Sequence, residues 1–508
     1  MAVGRAGTRR RAASSGDSAV NSAGLWMLVL LGALIVGTGL PVWALLLGTS
    51  GLFAGLGLVM GPFDARLLGA VAGRLVGLLE HDLLQALPLY VFIGLLLQRL
   101  TLANAIFSFL NRVLHPLGSS TPLAALGVGV LVAPMNGSVA SSASLLSRLV
   151  APRLQAMPPA RGIAMLSVAA TIGVVVPPSL VLLLLGDAMM RAHIEASNLP
   201  GFSLSGLRII NTQDVLRAAL LPALALLVLW ACVAWRHGRS TEAAQPPPRL
   251  GRRDLALALT GIGSIVALLA SVFSGALLAV EAAATGGCLL IVSALVSRAM
   301  SAVDWRHLLA QTLQLSGALF ALLVGATTFS LVFRGWGTDR WLSDWVLSSS
   351  MGPAATSAAV LVFVAACAWV LDAFEMIFVV IPILAPSLIA RLGDAQQSAV
   401  LLLLVLQLGF LLPPMGYAIL VVQARGGFAR VSTRQLAKAL LPYAVAQVTV
   451  LATVFFVPAS VHWLDHSSPS PTTDTKPLSN ADLVRQLEEM ASPPNEAPTA
   501  GAESPRQE

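Results

Sequence analysis

The stretch VVVPPSLVLLLLGD, Val174 to Asp187, and its twin FLLPPMGYAILVVQ, Phe410 to Gln423, decide how this chain is read. Each sets two prolines inside a segment otherwise as apolar as a membrane helix. Proline removes a backbone donor and clashes with the preceding turn, so Pro177-Pro178 and Pro413-Pro414 each break a helix. In hydrocarbon, the groups freed by a break are tolerated only where protein or a watery cavity receives them. Two such breaks, 236 positions apart, point to a built site.

The rest of the composition agrees with a membrane setting. Of 508 residues, 56% are hydrophobic and only 11% charged. Crossing a bilayer takes about 20 apolar residues. Such stretches recur at 25–61, 83–100, 162–190, 214–235, 254–273, 276–297, 307–333, 396–424 and 436–464. The chain therefore reads as an all-α polytopic membrane protein in the lipid bilayer. The first stretch is too long for a cleaved signal peptide and is expected to be retained. Cys232, Cys288 and Cys367 stand singly, which argues against a disulfide framework or a zinc site. The net charge of +7 reflects mainly loop arginines, an orientation signal rather than a sign of nucleic acid. Residues 1–24 form a polar basic tail, 236–253 an Arg-rich linker, and 465–508 a polar tail expected to be disordered.

The offset of 236 matches more than prolines. It lays Asn136 on Asp372, and IGVVVPPSL on LGFLLPPMG. After an extra loop in the first half, VLRAALLPA at 215–223 matches QLAKALLPY at 435–443. Two halves sharing an order of elements are a structural repeat, and paired interruptions in corresponding positions point to a transporter binding site. The repeats are placed at 25–235 and 254–464. Each holds a segment with small or polar residues at its middle, 121–152 and 357–388, whose arms of about 14 residues reach only about 21 Å. Both read as re-entrant hairpins, each followed by a broken helix (162–190 and 396–424). Arg112, Arg148, Arg153 and Arg161 flank the first with no acid among them; Arg334, Arg340 and Arg391 beside the second are balanced by Asp339, Asp344 and Asp394. The positive-inside rule puts the first hairpin's base in the cytoplasm and the second's outside, so the repeats are inverted. The stretch 25–61, interrupted by GLPVW, looks like two passes, which would put the arginine-rich N-terminus outside, against that same rule.

At LPLYVFIGLLLQRLTLANAIF, NGSVASSA, TIGVVVPPS, LDAFEMIFVVIPILAP and LGFLLPPMGYAILVV the sequence resembles the large, DctM-like membrane subunit of tripartite ATP-independent periplasmic (TRAP) transporters. The match covers most of residues 40–460. It departs from the family at Gly94–Leu97, which lacks a frequent acidic residue, and at Asn136, which replaces a serine. The resemblance implies an elevator-type secondary transporter in the bacterial inner membrane. It implies a small DctQ-like membrane subunit and an extracytoplasmic DctP-like solute-binding protein as partners. The cargo is usually a small organic acid, and the coupling ions are two sodium ions held near the hairpin tips and helix breaks. No other cofactor and no enzymatic activity are implied.

On this resemblance, Asn136, Gly137 and Ser138 with Gly173 and Val176 form one expected sodium site, and Asp372 with Gly409 and Leu412 the other. Sodium is a hard cation that takes oxygen ligands, by analogy with calcium and magnesium. An ordinary turn also explains Asn136-Gly137. An intramembrane carboxylate costs about 2.5–3.5 kcal/mol on insertion scales, so Asp372 is a functional candidate, though it also suits a helix cap, with Glu375 three residues on. Ser141, Thr171, Ser179, Glu375, Gln407 and Tyr417 are candidate solute ligands; small residues such as the serines also serve close helix approach. Asp187 and Glu281 read as helix-end or interhelix contacts. No arginine falls convincingly in the expected site. The seven histidines lie near span ends or in loops, so no catalytic dyad suggests an intramembrane enzyme. An uncoupled channel stays open as an alternative. There is no Walker motif for an ATP-driven pump.

Overall fold

The computed structural model describes residues 23–464, apart from 65, 81, 135–137, 156, 178, 200–208, 240–250 and 414–415. Asn136, Gly137, Pro178, Pro414 and both tails therefore lie outside the described residues. All regular structure among the described residues is helical. Six helices are long and apolar enough to cross a membrane, or up to eight if each of two bent pairs counts as one span.

Shifted by 236 positions, the helices of the first half fall on those of the second. Val42–Met60 falls on Ala279–Val296, and Leu102–Val113 on Thr338–Leu347. Arg66–Leu79 and Asp82–Arg99 together fall on the single helix Ala302–Gly335. The first half breaks at the polar pair Glu80 and Asp82; the second carries Ser316-Gly317-Ala318 there and runs through. The stretch 25–61 is two helices, Ala23–Thr38 and Val42–Met60.

Hairpin 1 consists of Ser120–Val132 and Val139–Leu154; hairpin 2 of Pro353–Ala368 and a longer second arm, 373–392. Hairpin 2 thus extends four residues beyond the sequence estimate at each end. Its second arm opens into a π turn at Met376–Val380. Pro382 explains this: it offers no N–H to the Phe378 carbonyl, and a widened turn relieves the ring clash. The first broken helix is Pro159–Val175 followed by Leu180–Ala196, bent by 44°. The second is Ala395–Gly409 followed by Tyr417–Arg425. Their first halves are buried all round, Gly162 to Val175 and Ala395 to Gln407. That follows from apolar residues on every face, which suit a helix at the centre of a bundle. The final helix ends at Phe456, with one short turn after it.

Side-chain contacts establish that the halves are antiparallel. The first broken helix starts beside hairpin 1's base and finishes where Glu195 pairs with Arg334, next to the connector Thr338–Leu347 that hairpin 2's base holds. The second starts at hairpin 2's base and finishes near Phe428, whose ring lies against Gly162 at hairpin 1's base. Gly24 abuts Thr338, and Phe63 meets Trp336 at 4.9 Å between centroids. Helices 23–38 and 42–60 therefore leave from and return to the hairpin 2 end, as two passes do. Inverted repeats, each with a re-entrant hairpin and a broken helix, are the architecture.

Candidate functional site

The axis relating the repeats is marked by one contact. Gln407 Nε2 donates to the Thr171 carbonyl at 3.2 Å, and these residues are 236 positions apart. A residue touching its own repeat counterpart must lie on the axis. Gln407 Oε1 accepts from Gln447 Nε2 at 2.9 Å, and Gln447 also donates to the Leu404 carbonyl. All three of Thr171, Gln407 and Gln447 are fully buried. Pro177 and Pro413 each follow six positions later in their own repeat.

Each hairpin tip is pressed onto the break of its own repeat through a glycine. A Cβ on Gly173 would lie 2.8 Å from the Pro134 nitrogen and closer still to Ala133. A Cβ on Gly409 would lie 2.6 Å from the Ala368 carbonyl oxygen. No side chain fits at either place. The two glycines are repeat counterparts, so the same joint is built twice.

At the first joint, the helix ends at Val175 and leaves the Val174 carbonyl without a helical donor. The Ser179 hydroxyl replaces it at 3.0 Å and caps the next half-helix by accepting from the Leu182 N–H at 3.1 Å. Ser138, Ser142, Gly173 and Ser179 line a void of about 10 Å³ with Ala133 and Pro134. That is about the room one water or small ion needs, and the polar side chains that line it are three serines. Val176 ends the half-helix in extended conformation.

At the second joint, Asp372 is the N-cap of hairpin 2's second arm, and its N–H donates to Glu375 Oε2 at 3.1 Å. Tyr417 opens the facing half-helix within electrostatic reach of both carboxylates. The Leu412 carbonyl accepts from Trp369 Nε1 at 3.0 Å and from the Gly416 N–H at 2.9 Å. Hairpin 2's tip is thus tied to the break by a side chain that hairpin 1 lacks, since Ala133 stands in that position.

The candidates therefore fall in three places. Ser138, Gly173, Val176 and Ser179 with Pro177 meet at the first joint. Asp372, Glu375, Gly409, Leu412, Pro413 and Tyr417 meet at the second. Thr171 and Gln407 lie sealed on the axis, the Thr171 hydroxyl held by the Val168 carbonyl at 3.0 Å. Ser141 stands apart: its hydroxyl accepts a short hydrogen bond from Gln98 Nε2 on the helix Asp82–Arg99. Glu281 caps its helix start, accepting from the Leu278 N–H at 2.8 Å. Asp187 pairs with Arg191 at 3.2 Å.

Sequence reading missed two kinds of residue. Trp369 was hidden by its apolar neighbours. Gln98 and Arg334 lie 236 positions apart and hold different elements: Gln98 bonds Ser141 and Arg148 of hairpin 1, and Arg334 pairs with Glu195 on the first broken helix. The offset sets the two positions side by side but not their partners.

Known proteins supply the context. A model of the family described as "Tripartite ATP-independent periplasmic transporter, DctM component" matches residues 25–460. Two relatives are named as C4-dicarboxylate TRAP transporter large permease proteins. The one from Rhodobacter capsulatus is 22% identical over 445 residues, covering 85% of this chain and 97% of its own. The one from Pseudomonas aeruginosa is 24% identical over 410 residues, covering 79% and 90%. A sialic acid TRAP large permease protein from Vibrio cholerae is 22% identical over 400 residues, covering 76% and 87%. In fold, the chain is similar to the Alcanivorax borkumensis YdaH transporter, with a TM-score of 0.59 at 15% identity, covering 87% of this chain and 99% of that one. The chain belongs to the DctM family of large permease subunits of tripartite ATP-independent periplasmic transporters.

Proposed function

We propose that this subunit imports a small organic anion by an elevator movement driven by sodium. A DctP-like binding protein outside the membrane hands over the solute, and a small DctQ-like subunit sits against the fixed helices in the bacterial inner membrane. The observation that carries the reading is the doubled joint, a hairpin tip seated by a glycine on a helix break. Each joint gathers oxygen atoms, with serines at the first and Asp372 at the second. A cation bound there would offset the cost of a buried carboxylate and tie hairpin closure to ion occupancy. Half-helix N-termini at Ser179 and Gly416 would turn positive dipole ends toward an anionic solute. The names of the relatives, for C4-dicarboxylates and sialic acid, both denote carboxylates.

The test is uptake into proteoliposomes holding this chain with its small subunit, supplied with the binding protein encoded beside it. Ligands of that protein are found first by thermal shift. Uptake should saturate with solute and rise with an inward sodium gradient. Non-saturating flux that ignores sodium would instead mark an uncoupled channel.

A further inference from the structure

A cavity of about 650 Å³ is lined by none of the residues that meet at the two joints. One wall is the long helix Ala302–Gly335, with Thr327, Ser330 and Arg334. These recur at spacings of three and four and so share a helix face. Facing them are Asp187, Arg191 and Glu195 on the first broken helix and the π turn of hairpin 2 at Ile377 and Phe378; Arg74 closes the side. The cavity therefore opens between the long helix and the body that carries both joints, at hairpin 2's end.

Its charges do not cancel. Three guanidinium groups face two carboxylates. Asp187 is taken by Arg191 at 3.2 Å, and Glu195 by Arg334 at 2.5 Å. Arg74 lies within electrostatic reach of both Arg334 and Glu195. Two guanidinium groups thus converge on one carboxylate, and the surplus positive charge stands beside two hydroxyls. Guanidinium forks match the planar geometry of carboxylates and the oxygens of phosphate. A volume of this size suits a small organic ligand.

We propose that this cavity is a second binding site for an oxyanion. Arg74 and Arg334 would hold the anionic group, and Thr327 and Ser330 would take hydroxyl or carbonyl oxygens. Resting on the transport reading above, the occupant is the incoming carboxylate solute, held at the hairpin 2 end before it reaches the joints. An anionic lipid headgroup offers the same chemistry and is the competing source.

The experiment titrates succinate into the purified full chain in phosphatidylcholine nanodiscs, with chloride at matched ionic strength as control. Wild type should bind succinate saturably. Arg74→Gln should weaken binding about tenfold, the size of one charge-assisted contact. Glu195→Gln should tighten it, because it releases Arg334 and raises the surplus charge. A merely structural ion pair would give losses in both variants, and that result overturns the site. So does a wild-type response that chloride reproduces. A repeat in discs containing phosphatidylglycerol identifies the source. If the anionic lipid abolishes succinate binding in wild type, the occupant is a headgroup and the solute assignment is wrong. Uptake separates this site from the wider reading. Sodium-driven uptake with a KM unchanged by Arg74→Gln sinks the cavity's role and leaves the transporter assignment standing. Arg74-dependent binding without sodium-driven uptake does the reverse.

Discussion

The two hairpins occupy equivalent places in the repeat and are held by different chemistry. Hairpin 1 is bound on two sides: Gln98, on the helix Asp82–Arg99, donates to Ser141 and accepts from Arg148, and Arg425, at the end of the second broken helix, donates to Ser144 at 2.6 Å. Hairpin 2 is bound inward and to its own connector. Trp369 ties its tip to the break, and Arg391 at its base donates to the carbonyls of Val346, Leu347 and Ser349. The carbonyls of Val346 and Leu347 end the helix Thr338–Leu347 and have no intrahelical donors, and Ser349 lies just beyond it. What the hairpins share is the glycine joint. A repeat therefore fixes where hairpin and break meet, while divergence sets what each tip can bind and how easily it parts.

The shared joint gives the largest expected effect. Gly409→Ala puts a methyl 2.6 Å from the Ala368 carbonyl oxygen and 2.8 Å from its carbon. Backbone atoms cannot swing aside as a flexible side chain can. Overpacking of this kind costs about 1–3 kcal/mol. Gly173→Ala should lose as much, and Gly263→Ala, which meets nothing, should lose none. Thermal unfolding of the purified chain and yield in membranes measure this. A harmless Gly173→Ala beside a damaging Gly409→Ala would end the equivalence of the joints.

The tips should differ in sodium coupling. Asp372→Ala is expected to raise the half-saturating sodium of uptake about tenfold, equivalent to about 1.4 kcal/mol. Asn136→Ala should raise it less, because a charged acceptor is about twice as strong as a neutral one. Both are measured at matched expression. An unchanged sodium response in Asp372→Ala makes Asp372 a helix cap and withdraws the ion from hairpin 2.

Arg391→Lys probes the base. Lysine keeps the charge and loses the fork that reaches three carbonyls at once. The end of Thr338–Leu347 should fray, with amides 344–348 exchanging faster by an amount matching about 1.5–3 kcal/mol. Gln155 holds the corresponding position in hairpin 1, so Gln155→Ala should leave its connector's exchange unchanged.

Much of this was legible in the sequence because proline and repetition are local signals. Pro177 and Pro413 located the breaks, and the offset from Asn136 to Asp372 located the tips. Spacing also brought Thr171 and Gln407 forward, yet it could not say that they touch across the axis, since that requires the fold. The charged cavity was illegible for the same reason. Arg74, Arg191 and Arg334 come from three distant segments, and no motif links them. Trp369 was missed because an indole among apolar residues gives no sign of where its N–H points.

Trp369 also supplies the smallest and sharpest test. Trp369→Phe keeps an aromatic ring at the tip and removes the N–H that donates to Leu412 at 3.0 Å, together with the rest of the five-membered ring. A single such bond is worth about 0.5–1.5 kcal/mol net, which corresponds to exchange about two- to tenfold faster. The gain should be confined to amides 369–373 and 412–416, where tip and break lie together. Hairpin 1 has no matching bond at Ala133, so amides 133–139 should not change. The Leu412 carbonyl also accepts from the Gly416 N–H, so the variant frees one of its two lone pairs. If sodium uses that oxygen, adding sodium should slow exchange at 412–416 more in the variant than in wild type. Equal loosening of both hairpins would mean that Trp369 acts through general packing, and the asymmetry between the tips would lose its physical cause.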